Sequence, residues 1–220
     1  MNAEFNRDLG VFKKYYNVLT KTDPNFIKTL ASEVNKIDGW LCNWQIPIMW
    51  SIFSTLEGKA VEVGCWKGRA TSAFKFGIPK DQFQLYCVDP FLGSTEHKED
   101  LQGGSTRGDF EKNLRDRGIL DSIVVIEKYS KDASMDFEDN SLDLVFIDAE
   151  HDYDNVKLDI QSWTPKLKSG AIICGHDYPD PEKEDAGFEE LSKAVDEEVR
   201  DNNNFKDFSW LCGIWGARKK

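Results

Sequence analysis

The sequence is poor in several things, and each shortage removes a class of function. No apolar run approaches the ~20 residues that a bilayer-crossing helix needs, so no membrane partner is expected. Residues 1–20 mix polar and aromatic side chains and show no charged-then-apolar leader. Cations are outnumbered, with 28 Lys and Arg against 39 Asp and Glu, for a net charge of −11. A nucleic-acid backbone is bound by neutralising its phosphates, so no nucleic acid is expected as a partner either. Cysteine is sparse: Cys42, Cys65, Cys87, Cys174 and Cys212 contain no Cys-x-x-Cys pair, and their odd number suits neither a disulfide framework nor a zinc site. Cys87 and Cys174 sit inside apolar runs and read as buried small residues. A reducing, cytoplasmic location is expected. There is no internal repeat and no low-complexity tract.

What is present is an alternation. Residues 1–58 lack strand-like runs. Phe12, Tyr15, Tyr16 and Leu19 recur at helical spacing, and Leu41, Ile46, Ile48, Met49, Ile52 and Leu56 suggest one or two further helices. Beyond them, apolar runs at 60–63, 84–88, 123–126, 142–147 and 171–174 predict strands. Helices are predicted over 69–76, 110–117, 154–167 and 189–200, the third kinked or restarted at Pro165 and ended by Gly170. The tail "FKDFSWLCGIWGARK" predicts a hairpin. The expected fold class is α/β: a Rossmann-like, doubly wound, mostly parallel seven-stranded sheet with a C-terminal antiparallel hairpin and an N-terminal helical segment. The expected division is a helical cap over 1–58 and a cofactor-binding domain over 59–220. The polar stretch 93–108 is expected to be a substrate lid or disordered.

In open α/β sheets, ligands bind beyond the carboxyl ends of the strands. Four of the five predicted strands end beside a carboxylate: Glu62, Asp89, Asp148 and Asp177. His151 and His176, two of only three histidines, fall at the last two of these ends. The turn "VEVGCWKGRAT" spaces its glycines as Gly64-x-x-x-Gly68 and lacks the middle glycine of a dinucleotide loop. Glu62 precedes that turn and bulky Trp66 occupies it, which suits a pyrophosphate poorly. Asp89 lies where an acid accepts both hydroxyls of a ribose. A ligand with a ribose and a cationic centre but no phosphate fits these features. S-adenosylmethionine is such a ligand.

Together with "CVDPFLGSTEH", "VFIDAEHDYDNVKLDIQSWTPKLKSGAIICGHDY" and "KAVDE", the turn resembles class I S-adenosylmethionine-dependent methyltransferases. The similarity is to the macrocin-type and cephalosporin-hydroxylase-like small-molecule O-methyltransferases, from about residue 39 onward. It implies an enzyme in which Gly64 and Gly68 approach the methionine part of the cofactor, with Glu62 as the motif's acid. Cys65, Trp66 and Arg69 would complete that turn. Asp89, followed by Pro90, would hold the ribose, Ser130 would lie near the adenine, and Asp148 would face cofactor and acceptor together. Metal-dependent members bind a divalent cation with such an Asp and an acid after strand five. Asp148 and Asp177 are thus candidate Mg²⁺ ligands, although His176-Asp177 stands here in place of two adjacent acids. The implied reaction is in-line attack of a hydroxyl oxygen on the sulfonium methyl, which needs a base or a metal. His151 is the first candidate base, with His176 and Asp148 behind it. The implied acceptor is a small molecule, a sugar or glycosylated metabolite; monomer or homo-oligomer is left open.

Plainer explanations stand beside these. Glu62 caps the following helix, Asp89 opens an ordinary turn, both histidines are structural, or Arg69 lies on a solvated helix start. Two other functions also stay open: an NAD-binding oxidoreductase, disfavoured by the missing glycine, and a non-catalytic S-adenosylmethionine-binding protein. Asp148-Ala149-Glu150-His151 replaces the Asn/Asp-Pro-Pro-Tyr usual in DNA and amino-group methyltransferases.

Overall fold

The computed structural model describes residues 9–95, 101, 104–179 and 188–220. After a 3-10 turn at Gly10–Phe12 come α1 (Lys13–Leu19), α2 (Pro24–Val34) and α3 (Gln45–Ser54). Then follow β1 (Gly58–Val63), α4 (Arg69–Lys75), β2 (Phe83–Val88), α5 (Arg107–Arg115), β3 (Ile123–Ile126) and α6 (Ser130–Ser134). The chain continues with β4 (Leu142–Ile147), α7 (Tyr153–Trp163), β5 (Leu167–Gly175), α8 (Glu189–Val195), β6 (Phe205–Leu211) and β7 (Ile214–Lys219). One seven-stranded sheet has the order β3-β2-β1-β4-β5-β7-β6. Strands β1 to β5 pair in parallel, and β7 runs antiparallel to both β5 and β6. This is the expected Rossmann-like α/β class, with its C-terminal hairpin.

Both faces of the sheet are covered, which is why the central strands are predominantly apolar. On β4, Leu144 and Phe146 enter one core with Phe53 of α3, Phe74 of α4 and Phe110 of α5. Val145 and Ile147 enter the opposite core with Ile160 and Trp163 of α7 and Ala194 of α8. Phe53 stacks on Phe74 with ring centroids 3.9 Å apart, which helps seat the N-terminal helices on the sheet.

Three local expectations change. Helix α2 was not foreseen, although its start is written in the sequence. Asp23 accepts from the Asn25 N–H, Pro24 takes the first turn, and Leu30 and Val34 are buried at i,i+4 spacing. The helix expected over 154–167 stops at Trp163; Pro165 lies in a separate 3-10 turn. Strand β5 already begins at Leu167, so Gly170 does not end a helix but lies inside the strand with φ +81°. Of the stretch 93–108, residues 96–100 and 102–103 lie outside the described residues, and its end opens α5 over the buried Thr106.

Candidate active site

Strand register assembles the site. Val63 is level with Val88 on one side and Ile147 on the other, and Ile147 is level with Gly175. The next residue on each strand therefore falls in one row: Asp89, Gly64, Asp148 and His176. The row crosses the β1/β4 boundary, where strand order reverses. A cavity of about 990 Å³ opens over it, at the upper end of the usual range for small-molecule sites.

The glycine turn forms one wall. Gly64 has φ +85°, and a Cβ there would lie 1.9 Å from the Asp148 carbonyl oxygen, so no side chain fits between β1 and β4. Cys65 and Trp66 donate their backbone N–H groups to Asp89 Oδ2 at 2.7 and 2.9 Å, and Phe91 N–H donates to Oδ1 at 2.6 Å. Three of the carboxylate's roughly four acceptor positions are thereby used. Asp89 lines the cavity with Pro90, and it also clamps the turn to the end of β2. Burial raises its pKa, while the three backbone donors pull the other way.

Not every expected cofactor residue reaches the cavity. Gly68 caps α4 at φ +85° against Leu114 and Phe110, away from the lining. Glu62 lies behind the turn, fully buried. Its Oε2 accepts from Thr71 Oγ1 at 2.6 Å and Cys87 Sγ at 3.5 Å, while Oε1 has no hydrogen-bond partner among the described residues. Burial lifts this carboxyl to about 8, so it is mostly protonated at neutral pH and offers a ligand no charge. Glu62, expected as the motif's acid beside the cofactor, thus lies outside the cavity lining. Arg69 does line the cavity, but its guanidinium donates to Ile37 O, Leu41 O and Asn35 Oδ1, fastening α4 to the segment before α3. Ser130 also lines the cavity, and its Oγ accepts from Trp163 Nε1 at 2.9 Å.

The ends of β4 and β5 bring the three candidate catalytic residues together around Asp177. His151 Nε2 lies 3.1 Å from Asp177 Oδ2, and His176 Nδ1 lies 3.0 Å from Asp177 Oδ1 and 3.6 Å from Asp148 Oδ1. Asp177 adopts φ +62°, a left-handed conformation that Asp tolerates better than most residues and that often marks functional sites. Burial raises the Asp177 pKa, but hydrogen bonds from His151 and His176 outweigh it and hold this carboxylate well below its usual range. Burial and the Asp177 charge raise Asp148, with His176 opposing. For His176, burial acts to lower the pKa, yet the Asp148 and Asp177 carboxylates push it up to about 9. Its Nε2 has no hydrogen-bond partner among the described residues. The His151 ring stacks on Phe188 at 4.0 Å and 19°. Oxygen and nitrogen donors of Asp148, His151 and Asp177 all lie within 4.8 Å of one another.

Sequence inspection missed the rim. Trp40, Trp44, Leu92 and Tyr129 are exposed large apolar residues, and all four line the cavity. Such clustering marks a binding surface, but no spacing in the sequence separates an exposed tryptophan from a core one.

A family model described as a methyltransferase domain matches residues 61–178, more than half of the chain. The chain belongs to this methyltransferase family. Among curated proteins, the methyltransferase is 38% identical over 137 residues to uncharacterized protein y4gI of Sinorhizobium fredii. That match covers 59% of this chain and 14% of the relative, so the chain spans a small part of that protein's length. Its fold is similar to the SAH-bound Podospora anserina methyltransferase PaMTH1, with TM-score 0.63, 14% identity, and 100% and 99% of the two chains covered. It is also similar to the Bacillus cereus O-methyltransferase in complex with SAH, with TM-score 0.59, 14% identity, and 95% and 97% covered. The methyltransferase has no helix among its described residues long and apolar enough to cross a membrane.

Proposed function

We propose that this methyltransferase uses S-adenosylmethionine to methylate a hydroxyl oxygen on a small molecule, of which a sugar or glycosylated metabolite is the favoured class. The observation that carries this is the Asp177–His151 pair beside Asp148 in a cavity roomy enough for cofactor and acceptor together. The cofactor, when bound, supplies a methyl group on a positively charged sulfur. The turn from Gly64 to Trp66 would lie under its methionine part, the remaining acceptor position of Asp89 would take a ribose hydroxyl, and Ser130 would lie on the adenine side. The segment expected as an N-terminal cap, described from residue 9 to 58, contributes Trp40, Trp44 and Gln45 to the cavity lining, where they would meet the acceptor.

An alcohol oxygen needs its proton removed as it attacks. His151 is the proposed base: Asp177 orients the ring from Nε2 and stabilises the cation that forms, and Phe188 fixes the ring plane. His176 is unsuited to that role because its flanking carboxylates keep it protonated. It instead balances the charge of Asp148 and Asp177. Alignment of the two reactants would supply much of the acceleration, up to ~7–11 kcal/mol in favourable cases. A bound cation is the second reading, favoured by the clustered donors of Asp148, His151 and Asp177. The set fits Mg²⁺ poorly, because Mg²⁺ prefers six oxygens and both Asp177 oxygens already face imidazoles. The test is SAH release from S-adenosylmethionine over a panel of sugar and phenol acceptors, with EDTA or added Mg²⁺. Turnover that survives EDTA and is lost in His151→Gln supports the base; turnover restored only by Mg²⁺ supports the metal.

A further inference from the structure

Helix α7 buries Val156, Ile160 and Trp163 against the sheet, and among them it buries an acid, Asp159, which is 6% exposed. A buried carboxylate needs compensation. Among the described residues no cation pairs with Asp159; its partner is the Ser130 hydroxyl, itself held by Trp163. Burial lifts the carboxyl to about 7, and the charges of Glu150 and Asp152 push the same way. The protein therefore maintains an expensive acid with one weak partner, and that acid lines the cavity beside Tyr129, Ser130 and Leu158.

The location is specific. Methyl transfer is placed at the β4 and β5 ends, whereas Tyr129 and Ser130 follow β3, three strands from β4 in the sheet order. At the usual spacing between strands that is roughly 14 Å, about the reach of an adenosyl group laid across the row. Tyr129 and Leu158 offer apolar surface to the faces of a flat ring, and the Asp159 carboxyl offers an acceptor to its edge.

We infer that Asp159, oriented by Ser130, is the residue that recognises the exocyclic amino group of the cofactor's purine. This rests on the S-adenosylmethionine proposal and extends it to a residue on the helix after β4. Once ionised, the carboxylate accepts from a 6-amino group, whereas a 6-oxo purine presents at that position an oxygen that it repels, leaving only the neighbouring N1–H as a donor. The ionised site therefore disfavours the oxo form.

Calorimetric titration at pH 8.5, above the raised Asp159 pKa of about 7, with SAH and with its 6-oxo analogue, S-inosylhomocysteine, tests this. The wild type is expected to favour SAH by about tenfold or more, the usual worth of a hydrogen bond to a charged group. Asp159→Asn should reduce that preference to within about threefold, because an amide can both accept and donate. A full preference retained in Asp159→Asn, or none in the wild type while SAH binds, overturns the inference. If Asp159→Asn does not fold, the wild type alone decides with N6,N6-dimethyl-SAH, which lacks both donor hydrogens. Undiminished affinity overturns the inference, and a loss of about tenfold supports it. Binding of neither SAH nor its analogues would instead overturn the cofactor proposal beneath it.

Discussion

Glu62→Gln separates two roles for the acid that opens the glycine turn. If Glu62 faced the cofactor as a charge, neutralising it would weaken binding. The structure instead buries it behind the turn with its pKa raised from 4.5 to about 8. A raised carboxyl pKa means that the folded state keeps a proton the unfolded chain releases. Its contribution is fully present below pH 4.5 and is lost as pH rises toward 8. Between pH 4.5 and 7, about 2.5 units at 1.36 kcal/mol each, Glu62 removes about 3 kcal/mol of stability. Glutamine keeps the volume and an acceptor for Thr71 but cannot titrate. Urea unfolding followed by tryptophan fluorescence at half-unit steps from pH 4.5 to 8 should therefore show the variant gaining on the wild type by about 3 kcal/mol up to pH 7. SAH affinity at pH 7 should be unchanged. Parallel stability curves, or a variant that folds normally and no longer binds SAH, would refute the neutral, buried assignment.

Asp89→Ala strands three buried backbone donors at the turn and should cost about 3 kcal/mol or more in urea unfolding; lost cofactor affinity at unchanged stability would mark a ribose ligand with no structural duty. His176, raised from 6.5 to about 9, contributes stability that is whole below pH 6.5 and disappears as pH climbs through 9. His176→Gln should flatten that decline of about 3 kcal/mol, read from melts at pH 6 to 9.5. Arg69→Ala should loosen the segment before α3, seen as faster amide exchange at 35–41, and destabilise by about 2 kcal/mol.

The sheet was legible because its central strands are mostly apolar on both faces, as at Ala60 to Val63 and Leu142 to Ile147, and the first of them runs into a glycine turn at Gly64. The row of strand-end residues was legible for the same reason: once strands are placed, parallel register aligns the residues just beyond their carboxyl ends. Direction and solvation were not. Glu62 and Asp148 are both strand-end acids in the sequence, yet one points behind the turn and the other into the cavity. A strand alternates its faces every residue, so a shift of one position decides the matter, and only packing fixes it. Asp159 is hard to single out because one acid on a helix with charged neighbours looks solvent-facing. Its burial comes from α6 packing against α7 through Ser130 and Trp163, a contact between residues 33 positions apart.

The cavity over Asp89, Gly64, Asp148 and His176 is proposed to hold a sulfur-centred, phosphate-free adenosyl cofactor. Isothermal titration of the purified chain with SAH and, separately, with NAD⁺ decides whether it does. The expected result is saturable one-to-one binding of SAH with no heat for NAD⁺ at the same concentrations. Binding of NAD⁺ in preference to SAH, or of neither, would contradict it.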